Sequence, residues 1–201
     1  MRAQGWRMVE VDAVSALKVG WDVPWVTSWT PETLLGVRPC AEVGGRLAIG
    51  QVENAGRGKP QYSKNHMVRQ RVSVARMLCP MCGAATQAGD RWTQVAKRVA
   101  AGRLRAKGLA IPAGIDDDTV LLDAGSIAPL HRACVDRSLK HCPFLRASDE
   151  VRVTRFPERW TVVPLTVDVD PVDGVYPTVI GFLQIFGVTG TVDRRWRSDR
   201  A

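Results

Sequence analysis

Two short spacings constrain this chain more than anything else in it: Cys79-Pro80-Met81-Cys82-Gly83, and Pro129-Leu130-His131-Arg132-Ala133-Cys134. In the first, two residues between cysteines let a tight turn aim both sulfurs at one ion, and the following glycine permits close backbone approach. In the second, His131 and Cys134 stand three apart, so they share a face in the first turn of a helix predicted over 130–140. A helix N-terminus also favours the thiolate form of Cys134. Cys79, Cys82, His131 and Cys134 are therefore the expected ligands of a tetrahedral Cys3His site. Four protein ligands leave no position for water or substrate, which makes the expected zinc structural. The competing reading is a set of unrelated buried thiols, since reduced cysteine is often a core residue. Cys142 lies eight residues beyond Cys134, roughly 12 Å along a continuous helix, and is expected in core packing. Cys40 has no visible partner, and the lone histidines His66 and His141 are expected at the surface or in local hydrogen bonds.

The same segments carry a resemblance. Arg76-Met77-Leu78 leading into the knuckle, the His131-to-Cys134 pair, and Cys142-Pro143-Phe144-Leu145 resemble a group of uncharacterised actinobacterial and actinophage zinc-binding proteins. Members have a Cys-x-x-Cys-Gly knuckle, a later Cys-x-x-Cys pair opening a helix, and a Cys-Pro-x-Leu end. This chain has His131 where the group has cysteine, an exchange that zinc tolerates because imidazole is an equally good ligand. The resemblance covers roughly residues 70–146. It implies a metal site and a phage or actinobacterial setting, and no reaction.

The charge of the 201-residue chain, +8, is unevenly placed. Residues 54–115 hold twelve basic side chains against the single acid Asp90, a net of +11, so the rest of the chain carries −3. The knuckle sits inside this block. A zinc-stapled basic surface suits phosphate contact, with steeply salt-dependent binding. The expected contacts are Arg69, Arg71, Arg76, Lys97, Arg98, Arg103 and Arg105, with Arg57, Lys59 and Lys64 on a loop beside them. The alternatives are a solvated face that aids solubility, or a site for an acidic protein. Asp116-Asp117-Asp118 reads as a solvated turn, and Arg194, Arg195, Arg197 and Arg200 form a small basic tail.

Periodicity predicts a short helix over 11–19, extended chain carrying Trp21, Trp25 and Trp29 as part of a core, and a hairpin around Gly44-Gly45. It further predicts a mobile loop over 56–65, a strand over 67–78 with Arg69 and Arg71 on its outer face, and a basic amphipathic helix over 92–109. Strands are expected over 151–156, 160–169 and 175–188, the last a buried central strand. The fold class expected is α+β: a treble-clef-like zinc unit with a basic helical insertion, flanked by antiparallel β structure. The parts are an N-terminal β-rich 1–65, the zinc unit 66–146 with its insertion at about 91–115, and a β-rich 147–201, together one compact domain.

No apolar run reaches the roughly 18 residues of a membrane span, and the start lacks a secretory pattern, so a cytoplasmic protein without membrane contact is expected. Three functions remain. One is a zinc-stabilised nucleic-acid-binding or regulatory protein, and another is a protein-interaction or assembly component in which zinc only staples the fold. The third is a treble-clef metal-dependent nuclease. That last chemistry needs a separate histidine base and a divalent-metal site, for which Asn65-His66 is the only suggestive pair.

Overall fold

The structure, a computed structural model, describes residues 13–167 and 178–191. Its first half holds β1 (Thr27–Trp29), β2 (Leu34–Pro39), β3 (Leu47–Gln51), β4 (Pro60–Asn65) and α1 (Met67–Arg76). There follow β5 (Trp92–Thr93), β6 (Lys97–Ala100), α2 (Ala101–Arg105), β7 (Thr119–Asp123), α3 (Arg132–His141) and α4 (Pro143–Ala147). The chain closes with β8 (Thr154–Arg155), β9 (Trp160–Val167) and β10 (Val179–Thr191). The fold is α+β with mainly antiparallel strands, and no helix among the described residues is long and apolar enough to cross a membrane.

The apolar run of β10 is the central strand, and Val179, Ile180, Leu183, Ile185 and Phe186 are all buried. Phe186 pairs with Thr161 of β9 and with Asp123 of β7, while Ile180 pairs with Thr166 of β9 and Ala48 of β3. One edge of β10 thus belongs to β9, and the other is shared end to end by β3 and β7. Between those two the backbone of β10 that no strand pairs is completed from elsewhere. The Gln70 amide on α1 bonds both the N–H and the carbonyl of Leu183, and Arg71 donates to Gly181 O at 2.7 Å. Backbone bonds from Ala124 and Gly125 complete Ile185. A helix side chain here does what a neighbouring strand does elsewhere, because a buried peptide group left unpaired is costly. The six-stranded sheet draws strands from all three parts expected from the sequence.

Residues 67–76 are helical where a strand was expected. His66 caps the helix through Nδ1, which accepts from Arg69 N–H, and Met77 ends it in a left-handed conformation with φ 51°. The valines fit both periods. What misleads is charge: the buried face carries Arg69, Gln70 and Arg71, residues that read as solvent-facing. Arg69 is 4% and Arg71 2% exposed. The Arg69 guanidinium grips the buried Glu32 carboxylate with two bonds of 2.7 and 2.8 Å and donates to Thr27 O. Glu32 also accepts from Trp29 N–H and Asn54 N–H. Gln51 ties the same region together through Ser28, Glu32 O and Met67 N–H.

Three other expectations change. Residues 13–19 form no helix, and Val14 instead bridges to Arg57; residues 11 and 12 lie outside those described. The expected loop carries β4, which pairs with β1. The expected basic helix over 92–109 is two strands and the five-residue α2, because Lys97–Ala100 pairs along β7. The hairpin is present, with a 3-10 turn in its connection and the Cys40 thiol donating to Glu42. Of the three tryptophans Trp29 is fully buried and Trp21 is 65% exposed. The helix over 130–140 and the strands at 160–167 and 179–188 match, while 168, 169 and 175–177 fall outside the described residues.

Candidate metal centre

Residues 77–86 form a tight hairpin. Cys79 N–H donates to Ala84 O, Gly83 N–H to Cys79 O and Thr86 N–H to Met77 O, so the two cysteines sit on the bend. Gly83 has φ 78°, and a Cβ there would stand 3.0 Å from the Trp25 ring, so glycine is required on both counts. The segment before β1 lies along this bend, with Trp25 N–H donating to Met81 O and Val26 N–H to Pro80 O.

The second pair is presented by α3. Trp92 and Leu130 exchange both backbone bonds, which fixes the approach to the helix, and Asp90 accepts from Arg132 N–H at 2.8 Å. The sole acid of the basic block therefore caps α3, where a carboxylate is favoured by the helix dipole. His131 occupies the N-cap and Cys134 the first turn.

The metal-binding atoms of Cys79, Cys82, His131 and Cys134 all lie within 4.8 Å of one another. The His131 Nδ1 atom is 3.4 Å from Cys82 Sγ and 4.0 Å from Cys134 Sγ. Tetrahedral zinc with Zn–S near 2.3 Å sets its ligand sulfurs about 3.8 Å apart, so the cluster is of the right size. His131 Nε2 faces the carbonyl of Ala85 at 3.1 Å and must donate to it, leaving Nδ1 bare toward the sulfurs. Cys79 and Cys134 are buried; Cys82 and His131 are half-buried.

Burial pushes the Cys79 thiol up, although backbone N–H groups of Cys82, His131 and Met81 face it. Burial opposes ionisation of Cys82 too, but the Ala84 N–H and the neighbouring Cys79, Cys134 and His131 draw that thiol below its ordinary value. Cys134 is pushed up to about 12 by burial and by the charges of Cys79 and Cys82. Three thiolates this close need a cation among them, and metal binding releases the protons of the apo cluster, so affinity falls in acid.

The expected phosphate contacts separate into different environments. Arg69 and Arg71 are buried and bonded within the fold, which removes them from any partner's reach. Arg105 is bound to Asp117 and to the carbonyls of Ile111, Pro112 and Ile115, holding the turn after α2. The acidic run is thus partly a structural counter-charge. Arg76 pairs with the half-buried Glu42, and Lys97 with Glu150 in an exposed position where such a pair is weak. Arg98 and Arg103 are exposed and form no ion pair among the described residues, and the same is true of Arg57, Lys59, Lys64 and Lys107. The basic tail lies outside the described residues.

His66 is wholly buried, with Nδ1 accepting from Arg69 N–H and Nε2 facing Val52 O at 3.0 Å. Both ring nitrogens are engaged, so His66 is out of reach of a substrate. Cys142 sits at the end of α3, part-buried and outside the cluster. Sequence reasoning missed Arg137, whose Nη2 lies 3.8 Å from Cys134 Sγ. Its place three residues after a ligand on the same helix face was the available signal. No protein-family model, curated protein or solved structure matches the chain.

Proposed function

We propose that the four ligands hold a structural Zn2+ in a treble-clef-like unit, and that the protein binds nucleic acid through the cations left exposed around it. Thiolate-rich tetrahedral sites select zinc over harder divalent cations, and four protein ligands close the coordination sphere. The zinc pins α3 to the knuckle and so sets the framework on which the basic segments before and after it are mounted. The observation that carries nucleic-acid contact is that six cations of the basic block 54–115 are exposed without carboxylate partners among the described residues: Arg57, Lys59 and Lys64 on and before β4, and Arg98, Arg103 and Lys107 around β6 and α2. Unpaired cations are the ones that gain by releasing phosphate counterions.

Titration of labelled single-stranded and duplex oligonucleotides across salt tests this. Affinity is expected to fall steeply with salt, and replacing Arg98, Arg103 and Lys107 by glutamine to reduce the slope of log K against log salt by about 2–3. Absence of binding to either form at low salt overturns the reading.

A second reading, an assembly component, is favoured by β2. Every residue of this edge strand is exposed, including Leu34, Leu35 and Val37, and exposed apolar edges pair with other chains. Light scattering across concentration checks it: self-association that Leu35→Lys abolishes supports an interface, and a strict monomer at high concentration speaks against one between copies of this chain.

A further inference from the structure

Arg137 is placed where its charge is unexplained by the protein alone. Its Nη2 donates to Gly20 O at 3.1 Å and faces Cys134 Sγ at 3.8 Å, and its guanidinium lies 4.4 Å from the centroid of the Trp21 ring. Its Nε is buried and has no hydrogen-bond partner. No carboxylate forms an ion pair with it among the described residues. The contrast with Arg132, five residues earlier on α3, is direct: Arg132 pairs with Asp136 at 3.0 Å and stacks on Trp92. Asp22, the acid beside Trp21, is turned to the backbone N–H of Lys18.

A half-buried guanidinium without a counter-ion is unfavourable, because the water it gives up is not replaced by an opposite charge. Three thiolates and one neutral imidazole around a divalent ion leave the centre with a net charge of about −1. Arg137 donates to the ligand sulfur of Cys134, and the guanidinium would offset this charge. When the metal is lost and the sulfurs take up protons, the cation is left uncompensated.

We infer that Arg137 is the counter-charge of the metal centre, an outer-sphere positioning residue that pairs with the Cys134 ligand and slows loss of the ion, with Trp21 as its cover. The inference rests on the structural-zinc reading and assigns the retention of that zinc to a residue outside its ligand set. Arginine suits the place better than lysine because a planar guanidinium can bond sideways to a carbonyl and a sulfur while its face lies on an indole. Trp21 itself is 65% exposed, so its contact with Arg137 is what explains its position.

The test is the rate at which zinc-loaded protein surrenders its metal to an excess of chromogenic chelator. Arg137→Gln is expected to release zinc about 10–100-fold faster than the wild type, the usual consequence of removing a partner of a ligand. Arg137→Lys should fall between the two, since it keeps the charge and loses the planar stack. Trp21→Ala should give a smaller rise. A purely packing role predicts instead that the three variants alter the melting temperature of the zinc-saturated protein and leave the release rate alone. Release from Arg137→Gln at the wild-type rate overturns the inference while leaving the zinc reading intact. Wild-type protein that retains no zinc overturns both. Should Arg137→Gln fail to fold, release at the wild-type rate from both Arg137→Lys and Trp21→Ala overturns it.

Discussion

Replacing Cys134 by serine is expected to strip the protein of stoichiometric zinc and to lower its melting temperature by about 10 °C or more. A structural zinc in a small finger contributes on the order of 10 kcal/mol, because the site exists only in the folded state. Here the sheet supplies much of the stability independently. If one third of that figure appears as fold stability, the shift follows from roughly 2–4 °C per kcal/mol in a chain of this size. The effect should be large because of what the centre joins. Cys79, Leu130, Cys134 and Val135 form their own buried cluster, and the knuckle backbone holds the segment leading into β1. Cys142→Ser is the control, expected to keep its zinc and melt within about 2 °C of the wild type, since surface-like substitutions away from such features change little. Metal analysis and calorimetry on the two variants decide the matter: a Cys134→Ser protein with full zinc and an unchanged melting point would falsify the assignment.

The second large effect belongs to Glu32 and Arg69. Truncating Arg69 to alanine leaves a buried carboxylate without its partner, a change that costs about 3–5 kcal/mol, or roughly 10 °C here. The pair Glu32→Gln with Arg69→Met should recover much of the loss, because it removes the stranded charge and keeps the volume. The same group makes the fold sensitive to acid. Burial alone would raise the Glu32 carboxyl, but the Arg69 guanidinium and the N–H groups of Asn54 and Trp29 more than offset it and hold it below the ordinary carboxylate range. A depressed carboxyl contributes stability that is present above the unfolded value and lost as pH falls through the folded one. His66 adds in the same direction at higher pH. Burial lowers it, so the unfolded chain binds the proton first and stability declines as pH drops below about 6.5. Denaturant melts from pH 7 to about 3 should therefore show falling stability in two stages, the lower one reduced in the Glu32→Gln, Arg69→Met protein, where Glu42, also held below its ordinary value, still contributes.

The ligand quartet was legible in the sequence because its information is local: each pair is set by two intervening residues, and the glycine marks the bend. The central strand was legible for a similar reason, as a long apolar run admits few other places. Helix α1 was not. Arg69 and Arg71 signal solvent to any local reading, and the groups that neutralise or satisfy them, Glu32 and the carbonyls of Ile49 and Gly181, are brought to them only by the fold. The basic helix failed differently. Lys97–Ala100 follows β7 because that strand offers it a complete ladder, a partner that helical propensity cannot foresee. With Arg69 and Arg71 inside, the net of +11 counted along the chain is not a net of +11 on the surface.

The position of β10 also governs the order in which the molecule can be made. Its partners β3, β7 and β9 all leave the ribosome before it does, and until it follows, the Gln70 amide has no Leu183 to bond and three strand edges stand open. The metal-binding residues, spanning 79 to 134, are complete earlier. During synthesis all four candidate ligands are thus in place before the sheet can be completed, and its last described strand is the one that closes it.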